Sequence, residues 1–157
     1  MKGINLAEQG HLVGVLLAPV DITGGKSSDI FHLKNHARVA IVVQIGVSSA
    51  APGLVTVEAS ADASGTSAET IPFAVYKEET ADGDTLGART AVAATGFTPS
   101  ANNGIFYVID ILAEELPAGK PYLQLKMANT TNSVIASALA ILTGARYGED
   151  QNATAIT

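Results

Sequence analysis

The sequence predicts an all-β fold, an antiparallel β-sandwich or barrel in one domain, on three observations. Apolar runs of strand length recur along the chain with turn residues between them. The strongest run is dominated by β-branched residues, which suit a pleated surface better than a helix. At 157 residues the chain is long enough to bury roughly 70% of its unfolded surface, and with no Cys it must do so without disulfides.

In chain order, Leu12 to Val20 is an apolar run closed by Asp21 and the Gly24-Gly25 turn. Arg38 to Val47 carries Val39, Ile41, Val42, Val43, Ile45 and Val47, a uniformity expected of a strand buried on both faces. The cluster Ser48-Ser49-Ala50-Ala51-Pro52-Gly53 ends it, and Leu54 to Ala59 resumes the strand pattern. Ser60 to Thr70 reads as a small polar loop. Phe73 to Glu78 alternates, with Phe73, Val75 and Lys77 opposed to Ala74, Tyr76 and Glu78. Turns follow at Asp82-Gly83-Asp84 and at Pro99 to Gly104, where Asn103-Gly104 favours positive φ. Ile105 to Leu112 is strand-like, and Tyr122 to Ala128 places Leu123, Leu125 and Met127 inward with Gln124 and Lys126 outward. Val134 to Leu142 has helix-forming Ala and Leu behind a possible cap at Asn132 or Ser133. Nine residues is short for a helix and the neighbouring segments are strands, so a strand is expected there too.

Leu116-Pro117-Ala118-Gly119-Lys120-Pro121-Tyr122 is similar to a tyrosine corner, the turn that pins crossovers in Greek-key sandwiches, with its Pro-Gly pair split by Ala118. Leu116, Pro117, Gly119 and Tyr122 are accordingly the predicted structural turn. A simple Pro/Gly turn before a tyrosine-bearing strand explains the same residues.

Composition narrows the chemistry. Nine Lys+Arg against 15 Asp+Glu leave a net charge of −6, which argues against a nucleic-acid footprint. Ala, Gly, Thr and Ser make up 65 of the 157 residues, whereas charged residues are 15%, below the ~25% of an average domain. Val39 to Val57 has no charged residue but is interrupted by Gln44, Ser48, Ser49, Pro52 and Gly53, so no membrane-spanning helix is expected. The opening residues Met1-Lys2-Gly3-Ile4-Asn5, with Glu8 soon after, lack the apolar core of a signal peptide, and no export by that route is expected.

Candidate reactive groups fail on spacing. Gly25-Lys26-Ser27 invites a phosphate-loop reading, but Val20 stands where that loop needs a glycine and no helix pattern follows. His32 and His36 are four apart, and with His11 they complete the histidines. No third metal ligand is evident, and a surface or interface role is expected. Glu78, Glu79, Asp82 and Asp84 lack the order of a calcium loop, and Glu114-Glu115 reads as a solvated turn. There is no Gly-x-Ser-x-Gly elbow. Asn129-Thr130-Thr131 and Asn152-Ala153-Thr154 match a glycosylation pattern that means little without a signal peptide. No enzyme activity, metal or cofactor is expected.

Val75-Tyr76-Lys77-Glu78-Glu79-Thr80-Ala81-Asp82-Gly83-Asp84-Thr85-Leu86-Gly87-Ala88-Arg89-Thr90 carries a further signal. It is followed by Tyr107-Val108-Ile109-Asp110-Ile111, Glu115-Leu116-Pro117, Ala140-Ile141-Leu142 and Ala145-Arg146-Tyr147. This order resembles small proteins encoded beside the major capsid gene of tailed bacteriophages, the capsid cement or decoration proteins. The resemblance spans about Ile41 to Tyr147. It implies a β-sandwich or jelly-roll-like unit, made in the bacterial cytoplasm and sited in many copies on the outer capsid surface of the virion. The implied partners are the major capsid protein and further copies of the chain, as dimer or trimer, with neither nucleic acid nor membrane.

Residues 11–147 are then the domain, with 1–10 an N-terminal arm and 148–157 a C-terminal tail, either of which could order against a neighbour or simply fray. Lys2, Ile4 and Leu6 in the arm, with Arg146 and Tyr147 at the end of the last strand, are the candidate partner contacts, since Arg and Tyr are favoured interface anchors. A glycan- or receptor-binding module of a fibre or tail is the rival reading. Such modules usually display aromatic platforms, and this chain has no Trp and only Tyr76, Tyr107, Tyr122 and Tyr147.

Overall fold

A computed structural model describes residues 5–6, 10–48, 51–81, 83–128, 131–145 and 155–156. The strands are β1 His11–Asp21, β2 Lys26–Ser27, β3 Ile30–His32, β4 His36–Ser48, β5 Val55–Ser60 and β6 Glu69–Thr70. They continue with β7 Phe73–Glu78, β8 Thr90–Val92, β9 Ile105–Leu112, β10 Tyr122–Met127, β11 Val134–Ala145 and β12 Ala155–Ile156. A single 3₁₀ turn, Ala113–Glu115, follows β9.

Two six-stranded sheets form, and the strand pairs within them are antiparallel. The first sheet runs β1-β11-β4-β9-β7-β8, and the second runs β12-β3-β10-β5-β6 with β2 also against β10. The chain crosses repeatedly between them, so each sheet is assembled from segments distant in sequence. Central β4 is thereby held by β11 on one side and β9 on the other.

Alternation of side chains decides what is buried. Val39, Ile41, Val43 and Ile45 of β4 point inward with at most 1% exposure. Ile105, Tyr107, Ile109 and Ile111 do the same from β9, and Leu123, Leu125 and Met127 from β10. These residues, with Val55, Val57 and Ala59 of β5, form one apolar cluster between the sheets. Each Val, Leu, Ile or Met among them contributes about 1.5–3 kcal/mol by leaving water. The inward positions of β11 are mostly small (Ala136, Ala138 and Ala140), and the register of β1 against them shifts twice. Those shifts turn Leu16 inward, 1% exposed, and let its carbonyl accept the amide of Asp29 at 3.0 Å, joining β1 to the segment before β3.

The ambiguous segment after Ser133 is a strand, longer than expected, because its alanines complete the ladder between β1 and β4. Burial of the Arg38 to Val47 strand on both faces is not observed. Ala40 and Val42 are only half-buried, Gln44 is exposed, and Val47 is 72% exposed. Over β4 the outward residues stay partly open to solvent, so the β-branched run is buried on one side only. Within the expected loop Ser60 to Thr70, Glu69 and Thr70 form the short edge strand β6 against β5.

Asp21 clips the end of β1 to the start of β11. Its carboxylate accepts the amide and hydroxyl of Thr23 at 2.9 and 2.7 Å, the Ser133 hydroxyl at 2.6 Å and the Val134 amide at 3.3 Å. These donors, led by Ser133, hold its carboxyl far below the ordinary 3.8. The bonds therefore stabilise the fold above the ordinary value and are lost as pH falls through the lowered one. Asp21→Asn is expected to lower the urea midpoint at pH 7. That difference from the parent should narrow below pH 4.

Candidate interaction surfaces

The Lys120 amide donates to the Pro117 carbonyl at 3.0 Å, and Gly119 takes φ +77°, the left-handed value such a turn needs. Leu116 packs half-buried against the core. Tyr122 opens β10, but its phenol oxygen accepts from Lys34 Nζ at 2.8 Å rather than from a backbone group a few residues upstream. The tether of a tyrosine corner is thus replaced by one reaching 88 residues back to the link between β3 and β4. The Leu33 amide reinforces it by donating to the Pro121 carbonyl at 2.9 Å.

Of the candidate partner contacts, Lys2, Ile4, Arg146 and Tyr147 lie outside the described residues. Leu6 lies within them, 41% exposed, and its carbonyl accepts the Gly10 amide at 3.0 Å. Near the other end of the chain, Ala155 and Ile156 pair with Phe31 and Ile30 and extend the edge of the second sheet.

The candidate reactive groups serve the fold. Lys26 and Ser27 form β2 against Met127 and Lys126, with no helix behind them to cradle a phosphate. Glu78 is 5% exposed, and its oxygens accept the Thr80 amide at 2.8 Å and the Thr85 amide at 3.1 Å, closing the loop that follows β7. Asp84 accepts the Thr85 hydroxyl, Glu79 lies 3.7 Å from Lys77 Nζ, and Asp82 is outside the described residues. Glu115 accepts the Leu112 amide at 3.3 Å beside the exposed Glu114. Tyr107 is fully buried, so it offers no stacking platform; Tyr76 and Tyr122 are half-buried.

Sequence spacing did not reveal that all three histidines gather where β1, β3 and β4 meet. The rings of His11 and His36 are 5.6 Å apart, and His32 stands edge-on to Tyr122 at 5.7 Å. Nδ1 of His32 and Nδ1 of His36 are buried without a hydrogen-bond partner. Burial first, then Lys34 and His11, lowers the pKa of His32; burial, then His11 and His32, lowers that of His36. Among the described residues no group of three or more His, Cys, Asp or Glu could hold a metal. A base with a lowered folded pKa costs nothing above its ordinary 6.5, and destabilises the fold as pH drops through that value because the unfolded chain binds the proton more readily. The urea midpoint is therefore expected to be lower at pH 5 than at pH 7.5, and His36→Gln should remove part of that slope.

The cross-strand registers set the outward side chains of the first sheet in rows. One row is Leu12, Ile141, Ala40, Asp110 and Ala74; the next is Leu139, Val42, Val108 and Tyr76. A third is Ser137, Gln44, Phe106 and Glu78. Leu12 is 48% exposed and Leu139, Ile141, Val42, Val108 and Phe106 are half-buried, whereas Ala74, Asp110 and Glu78 towards the β7 side are buried. Arg38 binds Asp110 through two hydrogen bonds, Nε to Oδ1 at 2.5 Å and Nη2 to Oδ2 at 2.7 Å, so this charge pair is neutralised in place.

Comparison with known proteins adds one distant likeness. No family model matches the chain, and no curated protein matches it. Among solved structures, the SPBc2 prophage-derived protein YomS is similar at a TM-score of 0.43 and 14% identity, covering 84% of this chain and 92% of that one.

Among the described residues no helix is long and apolar enough to cross a membrane. The basic groups there are dispersed or paired. Lys120 meets Glu69 at 2.9 Å, Lys126 meets Glu58 at 2.7 Å, and Lys34 is spent on Tyr122.

Proposed function

We propose that this chain is a non-enzymatic virion structural protein, a cement or decoration protein that binds the outside of a tailed-phage capsid lattice and stabilises it. The family resemblance of residues 41–147 motivates the reading, and a jelly-roll-like topology belongs to the same proposal. The structural observation that supports it is a division of labour. Glu78, Asp21 and Asp110 are engaged in loop closure, a strand clip and an ion pair, whereas a sheet face of several strands lies open and nearly uncharged. A shell-binding protein needs packing surface and rigidity rather than reactive groups. The partner in this reading is the major capsid protein, the place is the outer capsid surface, and the chain acts as a dimer or trimer whose symmetry multiplies weak lattice contacts.

The terminal arms, 1–10 and 148–157, belong to the same proposal as segments that order against neighbours. Truncating either is expected to weaken shell binding, and unchanged affinity would remove that role. The deciding experiment for the function is quantitative mass spectrometry of purified virions. Copies of this chain in a simple lattice ratio to the major shell protein are expected. A handful per particle would point to a fibre, tail or vertex, and absence from the virion would overturn the reading.

A further inference from the structure

We infer that the junction of the three histidines is an acid-sensitive latch on the C-terminal strand: on mild acidification β12 leaves the edge of β3 while the rest of the sandwich stays folded. The latch is a property of the free chain and does not rest on the proposed function.

The observation that points to it is where the tail is anchored. Ala145, the last residue of β11, pairs with His36, the first of β4. Further on, Ala155 pairs with Phe31 and Ile156 with Ile30, and the next residue of β3 is His32. The tail is thus fixed beside one histidine where it starts and beside another where it ends. His11 opens β1 with its ring 5.6 Å from that of His36, so every histidine of the chain stands at this junction.

The junction suits neutral rings alone. Nδ1 of His32 and Nδ1 of His36 are buried without a hydrogen-bond partner. A neutral imidazole has one nitrogen without a proton, whereas an imidazolium needs an acceptor at both. The groups acting on the rings are also bases. Lys34, from the link between β3 and β4, and His11, from β1, act on His32; His11 and His32 act on His36. Tyr122 of β10 meets His32 ring to ring at 5.7 Å, and its hydroxyl already accepts from Lys34. A proton on His32 or His36 therefore meets like charge and finds no acceptor, and opening the junction to water relieves both.

The opening falls on the tail because pairing is shortest there. β12 adds two residues to a β3 of three. By contrast, β10 is paired with β5 along Tyr122 to Met127, and β4 with β9 along Arg38 to Ile45. Local opening takes the segment with least to lose. Because opening restores the ordinary 6.5 to each ring, a fall from pH 7.5 to 5 can shift the balance by up to about 30-fold per histidine. Where the tail orders against a neighbour, as proposed above, acid would free it to do so. Shell binding indifferent to truncation would remove that use and leave the latch.

The test is nuclear magnetic resonance of the full chain titrated from pH 7.5 to 5, following backbone amides together with the three imidazoles. The ratio of detached to paired tail, read at Ala155 and Ile156, is expected to rise at least tenfold. Its midpoint should coincide with that of His32 or His36, while the amides of β5 and β9 keep their folded positions. His32→Gln combined with His36→Gln puts an uncharged side chain at both places, and its tail should stay paired at pH 5. Should that variant misfold by circular dichroism, the coincidence of midpoints in the parent chain decides. A tail paired throughout, detached already at pH 7.5, lost only together with β9, or released at a midpoint shared with neither histidine overturns the inference. So does a folded double variant that releases its tail as the parent does.

Discussion

Gly96→Ala is expected to destabilise the protein by about 4 kcal/mol, near 12 °C in melting temperature for a chain of this length. Gly96 sits at φ +80°, and a Cβ there would lie 2.2 Å from the Val55 carbonyl oxygen and 2.6 Å from Thr56 Cγ2. The collision partner is backbone, so it cannot swing aside. Relief requires moving residues 96–97 off β5, which breaks the paired hydrogen bonds Val55 N to Phe97 O at 2.8 Å and Phe97 N to Val55 O at 3.0 Å. Strain from the left-handed conformation costs about 1–2 kcal/mol and each bond about 1 kcal/mol. Displacement of Phe97 also loosens its contacts with Phe73 and Tyr107, whose ring centroids lie 6.2 and 5.1 Å away. Gly104→Ala is the internal control. Its φ is +66° but nothing lies within 4 Å of the added carbon, so only the strain of about 1–2 kcal/mol should appear. Urea denaturation of both variants measures the difference; equal losses would show that the Val55 contact carries none of the effect.

That contact also shows where sequence reasoning stops. Strands with a period of two were legible from residues alone: Ile105–Leu112 was expected with its observed bounds, and Leu123, Leu125 and Met127 point inward as their alternation requires. Gly119 takes φ +77°, a demand that glycine meets and other residues resist. The segment around Gly96 carries no such period. Its importance arises from β5, some forty residues earlier, and only the folded chain brings the two together. The histidine cluster was hidden for the same reason, since spacing along the chain says nothing about meeting across β1, β3 and β4. The expectation for Arg38 to Val47 failed differently. A β-branched run records that a strand is apolar on both sides, but not whether the second side is covered by its own chain. Val42 stays only half-buried because no segment described in this chain reaches over it.

Arg38→Met is expected to cost about 2 kcal/mol, and Asp110→Leu introduced with it to restore most of that loss. The two groups are 72 residues apart in sequence and meet because β4 and β9 pair with Arg38 opposite Leu112 and Ala40 opposite Asp110. Their exposures differ, 49% for the arginine side chain and 6% for the aspartate. The cation keeps much of its hydration while the carboxylate, flanked by Ala40 and Ala74, relies on it. Removing the arginine leaves a buried charge without its counter-ion, a situation that costs 3–5 kcal/mol for fully buried pairs and about half as much where one partner reaches solvent. Removing both charges leaves an apolar pair on an apolar face, which should be close to neutral. Chemical denaturation of the two single variants and the double variant closes the cycle. A double variant as unstable as the sum of its singles would show that the ion pair is incidental to the fold.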